Sequence, residues 1–275
     1  MKRIIIKLGG SALDHKSTLE ELALLVQGLH RKKAQVMIIH GGGPAINQEL
    51  TARGLTWQFI DGQRQTTPEM IDIIEEVLAG KVNHHIVNTL RFHHIKAIGF
   101  SGAQDQILKC QAASELLMLV GRIEEVQTET IESLLERDWT STPVIAPIGF
   151  GSTGEKYNIN ADWAAAQIAI SLSADQLIFL TDQDGIWDKN KIPMTETTVT
   201  QLEELIFSGV IAGGMATKAK AMIAAIENGV QSVQVLKASA GSQLLKEQQI
   251  GTTLLSTALN LNQGGLHGRT PRFEK

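Results

Sequence analysis

Two stretches decide the fold: Arg3-Ile4-Ile5-Ile6-Lys7-Leu8-Gly9-Gly10-Ser11, and Gln35-Val36-Met37-Ile38-Ile39-His40-Gly41-Gly42-Gly43-Pro44. Each is a short, mainly apolar run that ends in consecutive glycines. Such runs suit strands buried on both faces of a parallel sheet. Glycines at the carboxyl end of such a strand, with a helix behind them, present bare backbone N–H groups, and the helix terminus adds positive partial charge. Pro44 suits the first turn of that helix. Three consecutive glycines are entropically costly and point to a close approach of backbone to something else. The first loop lacks the Gly-Lys-Ser/Thr order of a Walker loop, and no G-x-G-x-x-G follows the first strand. Two phosphate-compatible loops within 45 residues, one preceded by a lysine, indicate nucleotide or acyl-phosphate chemistry.

Working outward, strands and helices alternate. Leu19, Leu22, Leu24, Leu25 and Leu29 recur at roughly helical spacing within 17–31. A helix is expected over 44–53, and another from Pro68, behind Thr66-Thr67 as cap. Strands are expected over 96–100, 143–148 and 176–180, and helices over 161–173 and 219–228. Repeated βα units predict an α/β fold: an open, mainly parallel sheet sandwiched between helices, with ligands at the carboxyl ends of the strands. A soft boundary near 175 divides 1–175 from 176–258 within one structural domain. Residues 259–275 carry little periodicity and read as a tail.

The 275 residues are 43% hydrophobic and 20% charged, with a net charge of −4. No global basic field exists to hold nucleic acid or an anionic membrane. Cys110 is the only cysteine, which precludes an intrachain disulfide and fits a reducing cytoplasm. No stretch approaches the roughly 20 apolar residues of a membrane span, and no signal-type segment opens the chain. The paired His84-His85 and His93-His94 offer no metal site, since adjacent helical residues face apart.

The polar residues at strand ends carry the chemistry, and each has a structural alternative. Lys7 can neutralise a phosphoryl oxygen or simply reach solvent. His40 reads more readily as a satisfied structural histidine than as a base. Arg64 can grip a carboxylate with its planar fork or remain a solvated loop residue. Asn158 and Asn160 alternate onto one side of the chain. Asp162 begins a helix, as an N-cap or as an orienter of lysines. Thr181-Asp182-Gln183-Asp184-Gly185-Ile186-Trp187 follows a strand, where a base and ribose would sit or where a plain Asp-Gly turn would do. Lys218, expected in the first turn of its helix, opposes the helix dipole and suggests an anionic partner.

Taken in order, Lys7-Leu8-Gly9-Gly10, His40 to Pro44, Gly62-Gln63-Arg64, Gly99 to Gly102, Tyr157 to Asp162, Thr181 to Ile186 and Gly213-Gly214-Met215 with Lys218 resemble the amino-acid kinase family. Within it they are similar to the branch that phosphorylates N-acetyl-L-glutamate in arginine biosynthesis. The resemblance covers residues 3 to about 256. It implies a carbamate kinase-like fold, with 1–175 binding the acid and dimerising and 176–258 binding ATP. It implies that Lys7 and Lys218 stabilise the transferred phosphoryl group and that Asp162 holds both lysines. Gly9, Gly10 and Gly42 would donate N–H groups to phosphates. Gly42, Gly43, Arg64 and Asn158 would bind the acid. Asp182, Gln183, Asp184, Gly185, Ile186, Trp187, Val210, Ile211 and Ala212 would line the ATP pocket. Mg²⁺ would be bound through the ATP phosphates, with no protein metal site.

Gln63 and Thr217 stand where the family commonly has leucine and proline, and 233–239 lacks a frequent Asp-Gly-Arg run. The resemblance also implies a cytoplasmic homodimer, insensitive to arginine because no extra helix precedes the first strand. Rival readings are a kinase of the same fold acting on another amino acid or a carrier-linked aminoadipate, and a non-catalytic sensor of nucleotide and amino acid.

Overall fold

The computed structural model describes residues 1–14, 16–246 and 248–255. The main sheet has eight strands, in the order Glu196–Thr197, Thr252–Leu255, Ser232–Lys237, Gln176–Thr181, Arg3–Leu8, Gln35–His40, Thr142–Ala146 and Ala97–Ser101. The last six in that order are parallel, from Ser232–Lys237 across to Ala97–Ser101. Thr252–Leu255 is antiparallel to Ser232–Lys237. The sheet crosses position 175 without a break, because Arg3–Leu8 pairs with both Gln35–His40 and Gln176–Thr181.

The uninterrupted apolar runs have the predicted cause: both faces of the sheet are covered. Ile4, Ile6 and Leu8 enter one core, beneath the helix Lys16–Arg31 and the helical run 68–92. Ile5, Met37 and Ile39 enter the other, beneath the helices Ala161–Ser171 and Gly213–Glu227. These two helices are rich in alanine where they are fully buried, at Ala164, Ala165, Ala166, Ala169, Ala219, Ala221 and Ala225. Small side chains let helix axes approach closely, which brings the start of the first helix toward Lys218 of the second.

Three local features differ from expectation. Pro147 has no N–H for a ladder, so the run 143–148 splits. Thr142–Ala146 stays in the main sheet, and Ile148–Phe150 joins a separate four-stranded sheet ordered Lys156–Asn158, Ile148–Phe150, Leu108–Ala112 and Gly121–Val126. The strands Leu108–Ala112 and Gly121–Val126 are absent from the sequence reading, because their alternation is broken by charged residues. The helix expected from 219 begins at Gly213, so Lys218 lies in its second turn rather than its first. Phe59–Ile60 and Gln63–Arg64 form a small hairpin. Its turn residues Asp61 and Gly62 both have positive φ, 49° and 77°, the requirement of a tight two-residue hairpin turn that Asp-Gly meets well. The expected tail at 259–275 lies outside the described residues.

Candidate active site

Alternation along Arg3–Leu8 turns Lys7 to the face opposite Ile6 and Leu8, toward the two alanine-rich helices. There its Nζ lies 2.8 Å from Asp162 Oδ1. Lys218 Nζ reaches the same oxygen at 3.0 Å and sits 5.1 Å from the centre of the Phe179 ring. All three side chains are about nine-tenths buried. Asp162 is not the helix cap. Asn160 is: its side chain accepts from the backbone N–H of Asp162 at 2.9 Å and of Trp163 at 3.3 Å. That cap fixes the first turn and leaves the Asp162 carboxylate free to face the lysines.

One carboxylate serving two ammoniums leaves a net charge of about +1 in a dry place. Burial pushes the Asp162 carboxyl up, but the charges of Lys7 and then Lys218 outweigh it and hold the group at about 2. For Lys218 burial leads and the neighbouring Lys7 adds to it, and together they exceed the pull of Asp162 and bring the ammonium down to about 8. The directions agree physically: Asp162 is surrounded by excess positive charge, and Lys218 is part of that excess.

The two glycine loops lie side by side because Leu8 pairs with His40. A Cβ on Gly10 would stand 2.8 Å from the backbone nitrogens of both Gly42 and Gly43, so only glycine lets the loops touch. A Cβ on Gly43 would meet nothing within 4 Å, so that position is open toward the cavity. Gly43 begins the helix Gly43–Ala52, whose first N–H groups have no intrahelical acceptor. Gly9 departs from expectation: its N–H already donates to the Leu180 carbonyl at 2.9 Å. It allows close strand packing and offers no donor to a phosphate.

Arg64 is 6% exposed and has no carboxylate partner among the described residues. Its Nη2 donates to Asn47 Oδ1, and its Nη1 is buried without any partner. The guanidinium lies 5.3 Å from the Trp57 ring centre and 4.8 Å from that of Phe59. Burial pulls it down to about 10, still fully charged at neutral pH. A buried, charged fork beside two rings, with one end unsatisfied, can receive an anion from outside the chain.

Lys7, Gly10, Gly42, Gly43, Arg64, Asn158 and Asp162 line one cavity of about 340 Å³ at the carboxyl ends of the central strands. Asn158 Nδ2 donates to Thr66 Oγ1 at 3.0 Å, which anchors it to the segment following Arg64. Among the residues lining the cavity Asp162 is the only acid, and two lysines already occupy it.

A family model described as the amino acid kinase family matches residues 2–237. The chain belongs to the amino acid kinase family. Acetylglutamate kinase of Sulfurihydrogenibium sp. (strain YO3AOP1) is 39% identical over 254 residues, covering 86% of this chain and 84% of that one. A crystal structure of a protein from Streptococcus mutans UA159 superposes with a TM-score of 0.81 at 25% identity, covering 92% of this chain and 98% of that one. Carbamate kinase from Giardia lamblia bound to AMP-PNP gives a TM-score of 0.67 at 18% identity, covering 93% and 98%, a likeness of fold.

In this kinase the residues expected on the ATP side lie apart from the cavity. Asp182, Gln183, Asp184 and Trp187 are exposed on the loop after Gln176–Thr181, and Val210 and Ala212 are exposed just before the helix Gly213–Glu227. Asp184 is tied to Lys237 at 3.3 Å. Ile186 and Ile211 do not face that surface: both side chains belong to the core. Gly185 backs onto Thr252, whose Oγ1 accepts the Ile186 N–H at 2.8 Å. Asn47, Trp57, Phe59 and Asn83 take part although the sequence gives them no site role, and Asn160, which pairs with Asn158 in the sequence, serves as the helix cap. Asn160 had a readable signal, a capping residue type just ahead of a helix. Trp57 and Phe59 alternate onto one side of their segment, but nothing in the sequence joins them to Arg64.

Proposed function

We propose that this chain transfers the γ-phosphoryl group of ATP to the side-chain carboxylate of N-acetyl-L-glutamate, giving N-acetyl-L-glutamyl 5-phosphate and ADP in arginine biosynthesis. The observation that carries this reading is the charge layout of the cavity. It is lined by two cations, Arg64 and Lys7, and its one acid, Asp162, is taken up by Lys7 and, from behind the lining, by Lys218. A dicarboxylate matches both cations. A free α-ammonium would find no countercharge, so the amino group must be masked, as an N-acyl group masks it. The identity to curated acetylglutamate kinases supports the same choice.

In this reading Arg64 takes the α-carboxylate, and Asn158 and the backbone of Gly43 take the acylamino group. One oxygen of the side-chain carboxylate attacks the γ-phosphorus, and the bond to the β-bridging oxygen breaks. The nucleophile is already an anion and needs no base. The protein's part is in-line positioning and cations around the transferred group. Lys7 and Lys218 supply the cations, and Gly10, Gly42 and Gly43 supply N–H donors. The loops 182–187 and 210–212 hold the nucleoside end, so residues up to about 175 serve the acid and later ones the nucleotide. Mg²⁺ travels with the ATP phosphates; among the described residues no group of three or more His, Cys, Asp or Glu side chains is gathered to hold a metal.

The chain acts as a homodimer in this proposal. Among the described residues Ala97–Ser101 is an edge strand of the sheet, and Phe92, the last residue of the helix Asn83–Phe92, is 81% exposed. Light scattering should give twice the 29.9 kDa chain mass. No helix among the described residues is long and apolar enough to cross a membrane.

The test is ADP release with a panel of acids. N-acetyl-L-glutamate should turn over, while L-glutamate, L-aspartate and carbamate should be poor. Lys218→Ala should lose about 10²–10³-fold in kcat with much less effect on ATP binding. Turnover of free glutamate equal to that of the acetylated acid would overturn the reading.

A further inference from the structure

His40 takes no part in the chemistry just described, yet it is completely buried beside the site. Its two ring nitrogens have different neighbours. Nδ1 lies 3.0 Å from the Gly41 carbonyl oxygen. Nε2 lies 3.2 Å from Asn83 Nδ2. The same Asn83 amide nitrogen donates to the Val144 carbonyl at 2.9 Å. Reversing that amide would set Asn83 Oδ1 against a carbonyl oxygen, so Nδ2 is the group facing both His40 and Val144. An amide nitrogen only donates. His40 Nε2 is therefore an acceptor, and the ring proton sits on Nδ1, where it is donated to Gly41 O. Asn83 has room because residue 99 is glycine: a Cβ there would fall 2.2 Å from Asn83 Oδ1.

The consequence lies one atom further on. A trans peptide points its C=O and its next N–H in opposite directions. Around the run Gly41-Gly42-Gly43 the peptides on either side of the Gly41–Gly42 link are pinned by backbone partners. The Gly41 N–H donates to Leu8 O at 2.8 Å, and the Gly42 carbonyl accepts from Ile46 N–H at 2.9 Å. Among the described residues the peptide between Gly41 and Gly42 has no such backbone partner for its carbonyl. The His40 ring is what holds it. Glycine flanks that peptide on both sides, so little steric barrier would stop it from rotating.

We propose that His40, locked in its Nδ1–H tautomer by Asn83, is a positioning residue that fixes the Gly41–Gly42 peptide so that the Gly42 N–H faces the transferred phosphoryl group. The role rests on the kinase reading above only in naming the anion; the tautomer and the peptide orientation stand without it. The group is well suited to be a permanent neutral donor. Burial, and to a lesser degree the charge of Lys7, outweigh the Gly41 hydrogen bond and draw the imidazole down to about 4, so it does not titrate near neutrality.

Two measurements test this. In ¹⁵N-histidine-labelled protein, long-range ¹⁵N–¹H correlation spectra, with the His40 signal assigned by its loss in His40→Asn, should show Nδ1 protonated and Nε2 bare. The opposite tautomer overturns the proposal, whatever the enzyme's substrate. In kinetics, His40→Leu should lose about 10²-fold in kcat, the scale of a misaligned transition-state donor, with the KM for the acid within about threefold. His40→Asn, whose amide can still reach Gly41 O, should recover most of that kcat. His40→Gln places its amide at the Nε2 end and should not recover it. All three variants are compared by thermal melting. A kcat that follows melting temperature across them, with no advantage for Asn over Gln, reduces His40 to a structural residue and overturns the proposal.

Discussion

Replacing Asp162 by asparagine removes the carboxylate that Lys7 and Lys218 share and leaves the shape of the site almost unchanged. The size of the effect follows from the geometry. Lys218 Nζ is 3.0 Å from Asp162 Oδ1. Two unit charges at that separation attract by about 5 kcal/mol at an effective dielectric of about 20, and by about 1.4 kcal/mol if bulk water floods the site. Those bounds equal about 4 and about 1 pH units of ammonium acidity. Lys218 already sits at about 8 through burial and the presence of Lys7. In Asp162→Asn it should lose its proton at about pH 7 or below. The assay is coupled ADP release between pH 5.5 and 9.5. Because kcat/KM reports ionisations of the free enzyme, the wild type should lose activity as the pH rises through about 8. The variant should begin that loss at least one unit lower, and kcat near neutrality should fall about 10²–10³-fold. An alkaline limb that stays at or above pH 8 in Asp162→Asn would refute the claim that this carboxylate keeps Lys218 charged.

Other consequences are as direct. Arg64→Lys keeps the charge but loses the planar fork, and should raise the KM for the acid about 10–100-fold, the worth of a charged hydrogen bond, with the KM for ATP within threefold. Trp57→Ala removes one of the two rings beside Arg64 and should raise the same KM about two- to tenfold, in line with cation–π energies; an unchanged value would show that Phe59 and Asn47 suffice. Gly10→Ala forces a methyl to 2.8 Å from two backbone nitrogens and should lower kcat about 10²-fold while the chain still melts cooperatively. In urea unfolding, Asp162 is held at about 2 against an ordinary 3.8. Its contribution, about 2 kcal/mol, is present above pH 4 and lost as the pH falls toward 2. Lys218, depressed from 10.5 to about 8, acts in the other sense: its ammonium is a burden below pH 8, and stability should recover between about 8 and 10.5.

The central sheet was legible because burial on both faces writes itself as unbroken runs such as Ile4-Ile5-Ile6 and Leu177 to Leu180. The glycine loops were legible because glycine runs are conspicuous at strand ends. Lys7, Asp162 and Lys218 could be flagged singly, but their meeting at one oxygen depends on helix packing set by alanines far from any of them. The four-stranded sheet was illegible for a different reason. Its strands are short and partly exposed, so Lys109, Arg122, Glu124 and Glu125 obscure the alternation. The Gly9 donor was misread because a free-looking glycine N–H can be consumed by a neighbouring strand, and strand order is not visible locally. The Arg64 clamp escaped notice because Asn47 lies on a helix that precedes the hairpin, and no spacing rule connects the two.

Arg3–Leu8 precedes every other described strand in the chain, yet it ends in the interior of the sheet. One neighbour, Gln35–His40, arrives early. The other is anchored through a bond between residues 172 positions apart, Arg3 N–H to Asp175. Closing so long a loop is slow and is rewarded only at the end. Until then the strand that carries Lys7 has one open, hydrogen-bonding flank, an invitation to mispairing with other nascent chains. The same delay means that no half-finished molecule can bring Lys7, Asp162 and Lys218 to one point. A growing chain therefore cannot assemble this charge cluster before Lys218 itself has been made.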